Sequence, residues 1–331
     1  MRDLPNFLTG ENDWPEIYCL ISQHKQRKKR VLIFIYLSPG NLVMTMPEAL
    51  DKKKIRQVFR NVQKHRRTEQ IIRKLSSNKD DIRITALNQV DLTHCQNVLE
   101  LGCAFGSFTE ALKDRLHPEA KITGLDIVPE YEPFFLEACQ RAGYSGNFSS
   151  IGVHPIKKYT NGTFDLVICS FALYFFIEII PEIARVLKKN GIFITITHSR
   201  RNMQELIALT KTILDKNKLL SSNNLLPIEI ILRQFSSENG AALLSPHFRR
   251  IQQIDFNNSL IFQAQETEFF LEYYQFKRPF FLTGTNTLKN DIFNQLRLEL
   301  QKMTMNSKII KMCKDDRIFI CSEPLTLKET S

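Results

Sequence analysis

The chain of 331 residues is long enough for a substantial core, and 43% hydrophobic with 24% charged residues is an ordinary globular balance. No apolar run approaches the roughly 18 residues of a membrane helix, and seven cysteines without a CxxC pair argue against a zinc finger or a disulfide scaffold. The net charge of +10 is uneven: Met46–Cys95 holds 12 Lys and Arg against 6 Asp and Glu, a face able to attract acidic partners.

Residues 1–45 differ from the rest. They contain Trp14, a basic run at 24–30, the short apolar stretch Val31–Leu37 and the turn signal Ser38-Pro39-Gly40. We expect a separate N-terminal extension here and a helical cap over 46–90. In that cap Ile55, Val58, Phe59 and Val62 follow a helical period, and Ile71, Ile72 and Leu75 resume it. A shorter helix is expected over Ile82–Val90.

The most informative stretch is Asn97–Asp126. Val98, Leu99 and Leu101 read as a strand buried on both faces, Gly102 and Gly106 as a turn that a ligand can approach closely, and Phe108–Leu116 as an amphipathic helix. Ser107 is the expected N-cap, with Glu110 in the capping-box position. Ile122 to Leu125 form a second strand ending on Asp126, an acceptor for ribose hydroxyls. Glu100 before the turn would repel a pyrophosphate, and suits a ligand presenting an ammonium and a sulfonium.

Strands and helices then alternate: a helix over Glu132–Ala142, a weak strand over Asn147–Val153, a strong one over Phe164–Ser170, a helix opened by Pro181 and stopped by Gly191, and a strand over Ile192–Thr197. The pattern predicts a doubly wound α/β fold with a mostly parallel sheet, its core at 91–199. Helices expected near Asn202–Leu220, Pro227–Phe235, Glu266–Phe281 and Leu288–Met303 make 200–323 a helical lid with closing strands, followed by a tail at 324–331. A turn at Asn257-Asn258 is expected within a strand region, and Ile309–Cys321 resembles a terminal hairpin turning at Asp315-Asp316.

At this point LELGCAFGSFTEAL resembles the first motif of class I S-adenosylmethionine-dependent methyltransferases. GLDIVPE resembles the second, and FDLVICSFALYFF with IPEIARVLKKNGIFITITHS resembles the later ones. The resemblance implies a seven-stranded Rossmann-like sheet and S-adenosylmethionine as methyl donor, leaving S-adenosylhomocysteine. It implies that Gly102, Cys103, Ala104 and Gly106 wrap the methionine part, that Asp126 binds the ribose, and that Ser170 and Phe171 line the floor under the methyl group. Ala104 replaces the family's middle glycine. Val153 stands where an acid commonly meets adenine, so adenine is expected to pack on Ile127 and Val153.

Aromatic faces favour a sulfonium, and Phe171, Tyr174, Phe175 and Phe176 follow the fourth strand where such a wall belongs. His198, ending the fifth strand, is the best-placed base, and Tyr174 the second candidate for a direct part in the reaction. Tyr273, Tyr274, Phe276, Lys277 and Arg278 are further candidates for lining the pocket. No His, Asp and Glu cluster has metal-ligand spacing. The expected acceptor is a small molecule or one bound to a carrier protein; DKKKIRQVF loosely resembles the start of malonyl-carrier-protein O-methyltransferases. An RNA or protein methyltransferase using the basic helices, and a binding module without turnover, are the alternatives. A cytoplasmic location and no membrane partner are expected.

Overall fold

A computed structural model describes residues 52–220, 225–282, 286–307 and 309–325. The expected extension at 1–45 lies outside them. The N-terminal helices are α1 (Lys52–Phe59), α2 (Val62–Leu75) and α3 (Ile82–Leu87). The apolar period runs across α1 and α2, yet the helix breaks at Asn61, whose side chain accepts from the Lys64 amide at 3.0 Å and caps α2.

The core continues with β1 (Asn97–Leu101), α4 (Ser107–Ala111), β2 (Lys121–Leu125), α5 (Glu132–Ala142), β3 (Ser145–Ser149), β4 (Phe164–Ser170), α6 (Ile180–Val186) and β5 (Leu187–His198). Next come α7 (Gln204–Lys216), α8 (Pro227–Gln234), α9 (Gly240–Leu244), β6 (Phe248–Phe256), β7 (Ser259–Gln263), α10 (Thr267–Phe281), α11 (Asn286–Ser307), β8 (Ile309–Cys313) and β9 (Asp316–Pro324). Among the described residues the main sheet has seven strands in the order β3-β2-β1-β4-β5-β9-β6. Strands β1 to β5 pair in parallel, and β9 runs antiparallel to both β5 and β6. This is the expected α/β class and the mostly parallel sheet.

Alternate residues of the strands feed two cores. Leu99, Leu101, Val167, Cys169, Phe193 and Phe319 point to one face, and Val98, Leu166, Ile168, Ile194 and Ile318 to the other. A further core joins α2, α7, α10 and α11 beneath the β7–β8 ribbon, around Leu75, Leu206, Phe262, Phe270, Leu296 and Met312. Strand order reverses between β1 and β4. The loops leaving their carboxyl ends therefore diverge and open a crevice, where α/β sheets bind ligands.

Several local expectations are corrected. Gly106, in the left-handed region, is the N-cap of α4; the Ser107 hydroxyl instead donates to Glu69 on α2, and Glu110 engages Arg141. Strand β3 lies earlier than Asn147–Val153, because it is an exposed edge strand with little apolar pattern to mark it. Gly191 does not stop a helix. It sits in β5 beside a register irregularity, where a side chain would come within 2.9 Å of Leu187 and the Lys188 backbone. The terminal hairpin does not form: β8 pairs with β7, while β9 inserts between β5 and β6. Among the described residues no helix is long and apolar enough to cross a membrane.

Candidate active site

The turn after β1 bends through Gly102, Ala104 and Gly106 with φ of +65°, +46° and +80°. A β-carbon on Gly102 would lie 2.6 Å from that of Ala172, and one on Gly106 would lie 2.7 Å from that of Ala138. Both positions therefore need glycine for conformation and for space. Asp126 ties the turn to β2. Its Oδ2 accepts from the Ala104 amide at 2.9 Å, and its Oδ1 from Ile127 and Val128 at 2.7 and 3.0 Å. Burial pushes its pKa up while the three amides favour the carboxylate. A carboxylate has about four acceptor positions, so three amides leave room for one hydroxyl donor. That donor set fits a ribose-bearing cofactor.

Two expected cofactor residues lie beneath the turn. Cys103 is buried with its Sγ against Gly124, where a β-carbon would meet it at 2.7 Å, so only its backbone shapes the turn. Glu100 is also buried, and its carboxyl accepts from the Thr109 hydroxyl of α4. Burial raises its pKa to about 7, with the Thr109 bond opposing.

The N-terminal helices cover this turn. The His65 ring lies 5.1 Å from Phe105 and 5.0 Å from Phe59, and stacks on Phe276 of α10 at 5.3 Å. The Tyr131 hydroxyl donates to the Phe59 carbonyl, so His65 Nδ1 donates to that hydroxyl at 2.7 Å. Burial, reinforced by Lys277, lowers the His65 pKa to about 3. Ile127 and Val153 fall in separate apolar clusters, the first with Phe105 and Val128, the second with Leu125 and Ile156. Phe59 packs against both clusters.

The segment after β4 lies between the turn and an aromatic-lined cavity. Its Ala172 and Phe176 face Gly102, while Tyr174 and Phe175 line a space of about 30 Å³ with His198, Tyr273, Lys277 and Phe280. Ser170 ends β4 opposite Ile196 of β5. Phe171, whose φ is +53° and whose amide donates a hydrogen bond to the Ile196 carbonyl, stacks its ring on His198 at 4.7 Å; Tyr174 stacks on the same imidazole at 6.0 Å. His198 faces Asp316 across β5 and β9, with Nδ1 2.6 Å from Oδ1. Lys314 donates to Asp316 at 3.0 Å. Burial and Lys314 lower the His198 pKa to about 4 against the opposing pull of Asp316, so the imidazole is neutral near pH 7. With Nδ1–H directed at Asp316, Nε2 carries the lone pair.

The structure thus brings together the glycine turn, Asp126, Ser170, Phe171, Tyr174 and His198. Of the aromatic run on α10, Tyr273 and Lys277 line the cavity. Tyr274 packs on Phe281 and Phe293, Phe276 covers His65, and Arg278 bonds Asn290. Sequence reasoning misses Asp316, assigned to a turn at Asp315-Asp316, Lys314, assigned to a hairpin strand, and the cover formed by Phe59, His65 and Phe105. Part of the basic face of α2 serves packing: Arg67 bonds Glu272 at 3.0 Å, and Lys74 lies 3.8 Å from Glu266 and from the Phe269 ring centroid.

A methyltransferase-domain family profile matches residues 93–267. A search of curated proteins finds no match. Among solved structures, the chain is similar to a candidate methyltransferase of Bacillus halodurans C-125, at 12% identity over 73% of this chain and 99% of that one, with a TM-score of 0.47. It is also similar to YcgJ of Bacillus subtilis, at 17% identity over 73% and 98% of the two chains, TM-score 0.45. A third is phosphoethanolamine N-methyltransferase 2 of Haemonchus contortus, solved with phosphomonomethylethanolamine and S-adenosylhomocysteine, at 13% identity over 86% and 61%, TM-score 0.44.

Proposed function

The chain belongs to the methyltransferase-domain family, and we propose that it transfers a methyl group from S-adenosylmethionine to a small or carrier-bound acceptor. One observation carries this reading. The segment Phe171–Phe176 separates a glycine turn tied to an acid from an aromatic cavity containing a neutral histidine. When bound, S-adenosylmethionine supplies a methyl group already activated on a sulfonium.

The residues have distinct tasks in this reading. The backbone of Gly102, Cys103, Ala104 and Gly106 holds the methionine part, and Glu100 supports that turn from below through Thr109. Asp126 uses its remaining acceptor position for a ribose hydroxyl. Ile127 and Val153, bridged by Phe59, offer apolar surface for adenine. Ser170 and Phe171 form the floor at the end of β4, and the rings of Tyr174 and Phe175 exclude water. His198 Nε2 takes the acceptor's proton, while Asp316 fixes the imidazole orientation and tautomer.

Calorimetry with S-adenosylhomocysteine on the full chain and on Asp126→Asn tests the donor. Binding by the wild type and marked weakening in the variant are expected; no binding by either protein would sink the proposal. Transfer of labelled methyl from S-adenosylmethionine into extract metabolites, lost in His198→Ala while S-adenosylhomocysteine still binds, separates an enzyme from a binding module.

A further inference from the structure

Lys277 projects from α10 into the aromatic cavity. Its ammonium lies 5.1, 5.5 and 5.9 Å from the ring centroids of Phe59, Phe276 and Phe280. Among the described residues no carboxylate pairs with it. Asp316, the partner of the cavity's histidine, is already bonded to Lys314 and His198. The titratable groups that interact with Lys277 are therefore a second ammonium, Lys314, and the neutral imidazoles of His65 and His198, while Tyr174 and Tyr273 line the same cavity. The cluster of Lys277, Lys314 and Asp316 carries one uncompensated positive charge. Ring faces attract a cation but do not replace the water removed by burial, and an unpaired charge in such a place is costly.

A second polar group points the same way. Asn202, also in the cavity wall, is 4% exposed, and its Oδ1 has no hydrogen-bond partner. Because a carboxamide can turn over, this side chain can offer either a donor or an acceptor. A space of about 30 Å³ holds roughly two waters. It therefore suits a compact head group with several oxygens.

We infer that the acceptor carries an anionic head group, a carboxylate or a phosphate, that pairs with Lys277 and hydrogen-bonds Asn202. This deepens the proposed function and rests on the cavity being the acceptor side of the site. The anion supplies the charge that the cluster lacks, and it anchors one end of the acceptor so that the other end lies at His198 Nε2. Burial, with Lys314 adding to it, lowers the Lys277 pKa to about 8, so the ammonium prevails at neutral pH and a bound anion strengthens it.

Carbon-13 labelling of the lysine ε-carbons allows Lys277 to be followed by NMR in the full chain. Lys277→Arg, with Lys277→Gln as a second variant, identifies the resonance. Three probes are titrated separately and together: S-adenosylhomocysteine, sodium acetate and inorganic phosphate. The expected result is that acetate or phosphate, with S-adenosylhomocysteine present, raises the Lys277 midpoint by about one pH unit, equivalent to about tenfold tighter anion binding to the charged form. Which anion acts tells carboxylate from phosphate. Asn202→Leu should weaken that response. The inference is overturned if neither anion moves the midpoint, or if S-adenosylhomocysteine alone moves it and the anions add nothing, which would assign Lys277 to the cofactor's own carboxylate. Failure of S-adenosylhomocysteine to bind while an anion still moves Lys277 would overturn the donor proposal and leave the anion site standing.

Discussion

His198 and Asp316 are 118 residues apart in the chain, yet the register of β5 against β9 sets them opposite each other with 2.6 Å between Nδ1 and Oδ1. Lys314 closes the group from the other side of the carboxylate at 3.0 Å. Burial works against ionisation of Asp316, but Lys314 and His198 outweigh it and hold the carboxyl below its usual range.

Asp316 has two jobs that substitution separates. Asp316→Asn leaves Lys314 buried without its counter-charge, which should destabilise the fold by about 3 kcal/mol. It also releases the imidazole, so methyl transfer should fall about a hundredfold or more while S-adenosylhomocysteine binding persists. Adding Lys314→Met should restore stability in urea unfolding without restoring the rate. Recovery of both would make Asp316 a purely structural partner. Because His198 stays neutral down to about pH 4, the wild-type rate should be flat from pH 7 to pH 5 and decline below that.

Glu100 gives a prediction of opposite pH sign. Its folded pKa, about 7, lies above the ordinary 4.5 because the buried carboxyl resists charging. Its contribution to stability is therefore fully present below pH 4.5 and is lost as pH rises through 7. Glu100→Gln should gain stability relative to wild type at pH 8 and little at pH 4.5, by urea unfolding at both. If the carboxylate also supports the turn around a cofactor ammonium, the same variant should bind S-adenosylhomocysteine more weakly. Unchanged affinity would confine Glu100 to packing.

The half of the site proposed to hold the cofactor is legible in the sequence as a structural unit because it is local. Val98 to Leu101, Gly102, Gly106 and Asp126 lie within one strand–turn–helix–strand unit, and each needs only its neighbours to take its place. The acceptor half is assembled from distant pieces. Asp316 between two apolar strands has the pattern of a hairpin turn; the insertion of β9 between β5 and β6 turns it into the partner of His198. Lys277 is among the residues expected to line the pocket, but its burial is not legible, because its pattern is that of a charged residue on a helix face. Phe59, at the end of α1, closes over it together with Phe276 and Phe280, and no periodicity within α10 carries the contribution of Phe59. The break between α1 and α2 is visible in hindsight as Asn61, a capping residue inside an otherwise continuous helical period.

Ala104 and Gly102 should respond oppositely to exchange. Ala104 holds φ +46°, a conformation that costs a side-chain-bearing residue about 1 kcal/mol. Ala104→Gly should therefore leave thermal stability unchanged or raise it by about 0.5 kcal/mol, after the greater chain entropy of glycine is subtracted. Gly102→Ala meets both a φ of +65° and a 2.6 Å approach to Ala172, and should cost about 2 kcal/mol or more. Its effect on S-adenosylhomocysteine binding should be larger than on stability, since Ala172 adjoins Tyr174 and Phe175. Equal melting temperatures for the two variants would contradict the turn geometry.

Acid should loosen the cover over the glycine turn between pH 6.5 and pH 4. His65 and His198 have folded pKa values of about 3 and about 4, both below the ordinary 6.5. Between pH 6.5 and pH 4 the unfolded chain takes up protons that the folded chain refuses, so stability is fully present above 6.5 and falls as pH drops through that window. Below the folded values the loss levels off. His65→Phe keeps the ring contacts with Phe59, Phe105 and Phe276 but removes the titrating nitrogen and its bond to Tyr131. Its stability should be lower than wild type at pH 7.5, because the Tyr131 hydroxyl loses a donor, yet should decline less steeply between pH 6.5 and pH 4.5. Urea unfolding at pH 7.5, 6.5, 5.5 and 4.5 measures both slopes. Parallel slopes would mean that His65 is charged in the folded chain and that the stacked cover does not exclude water.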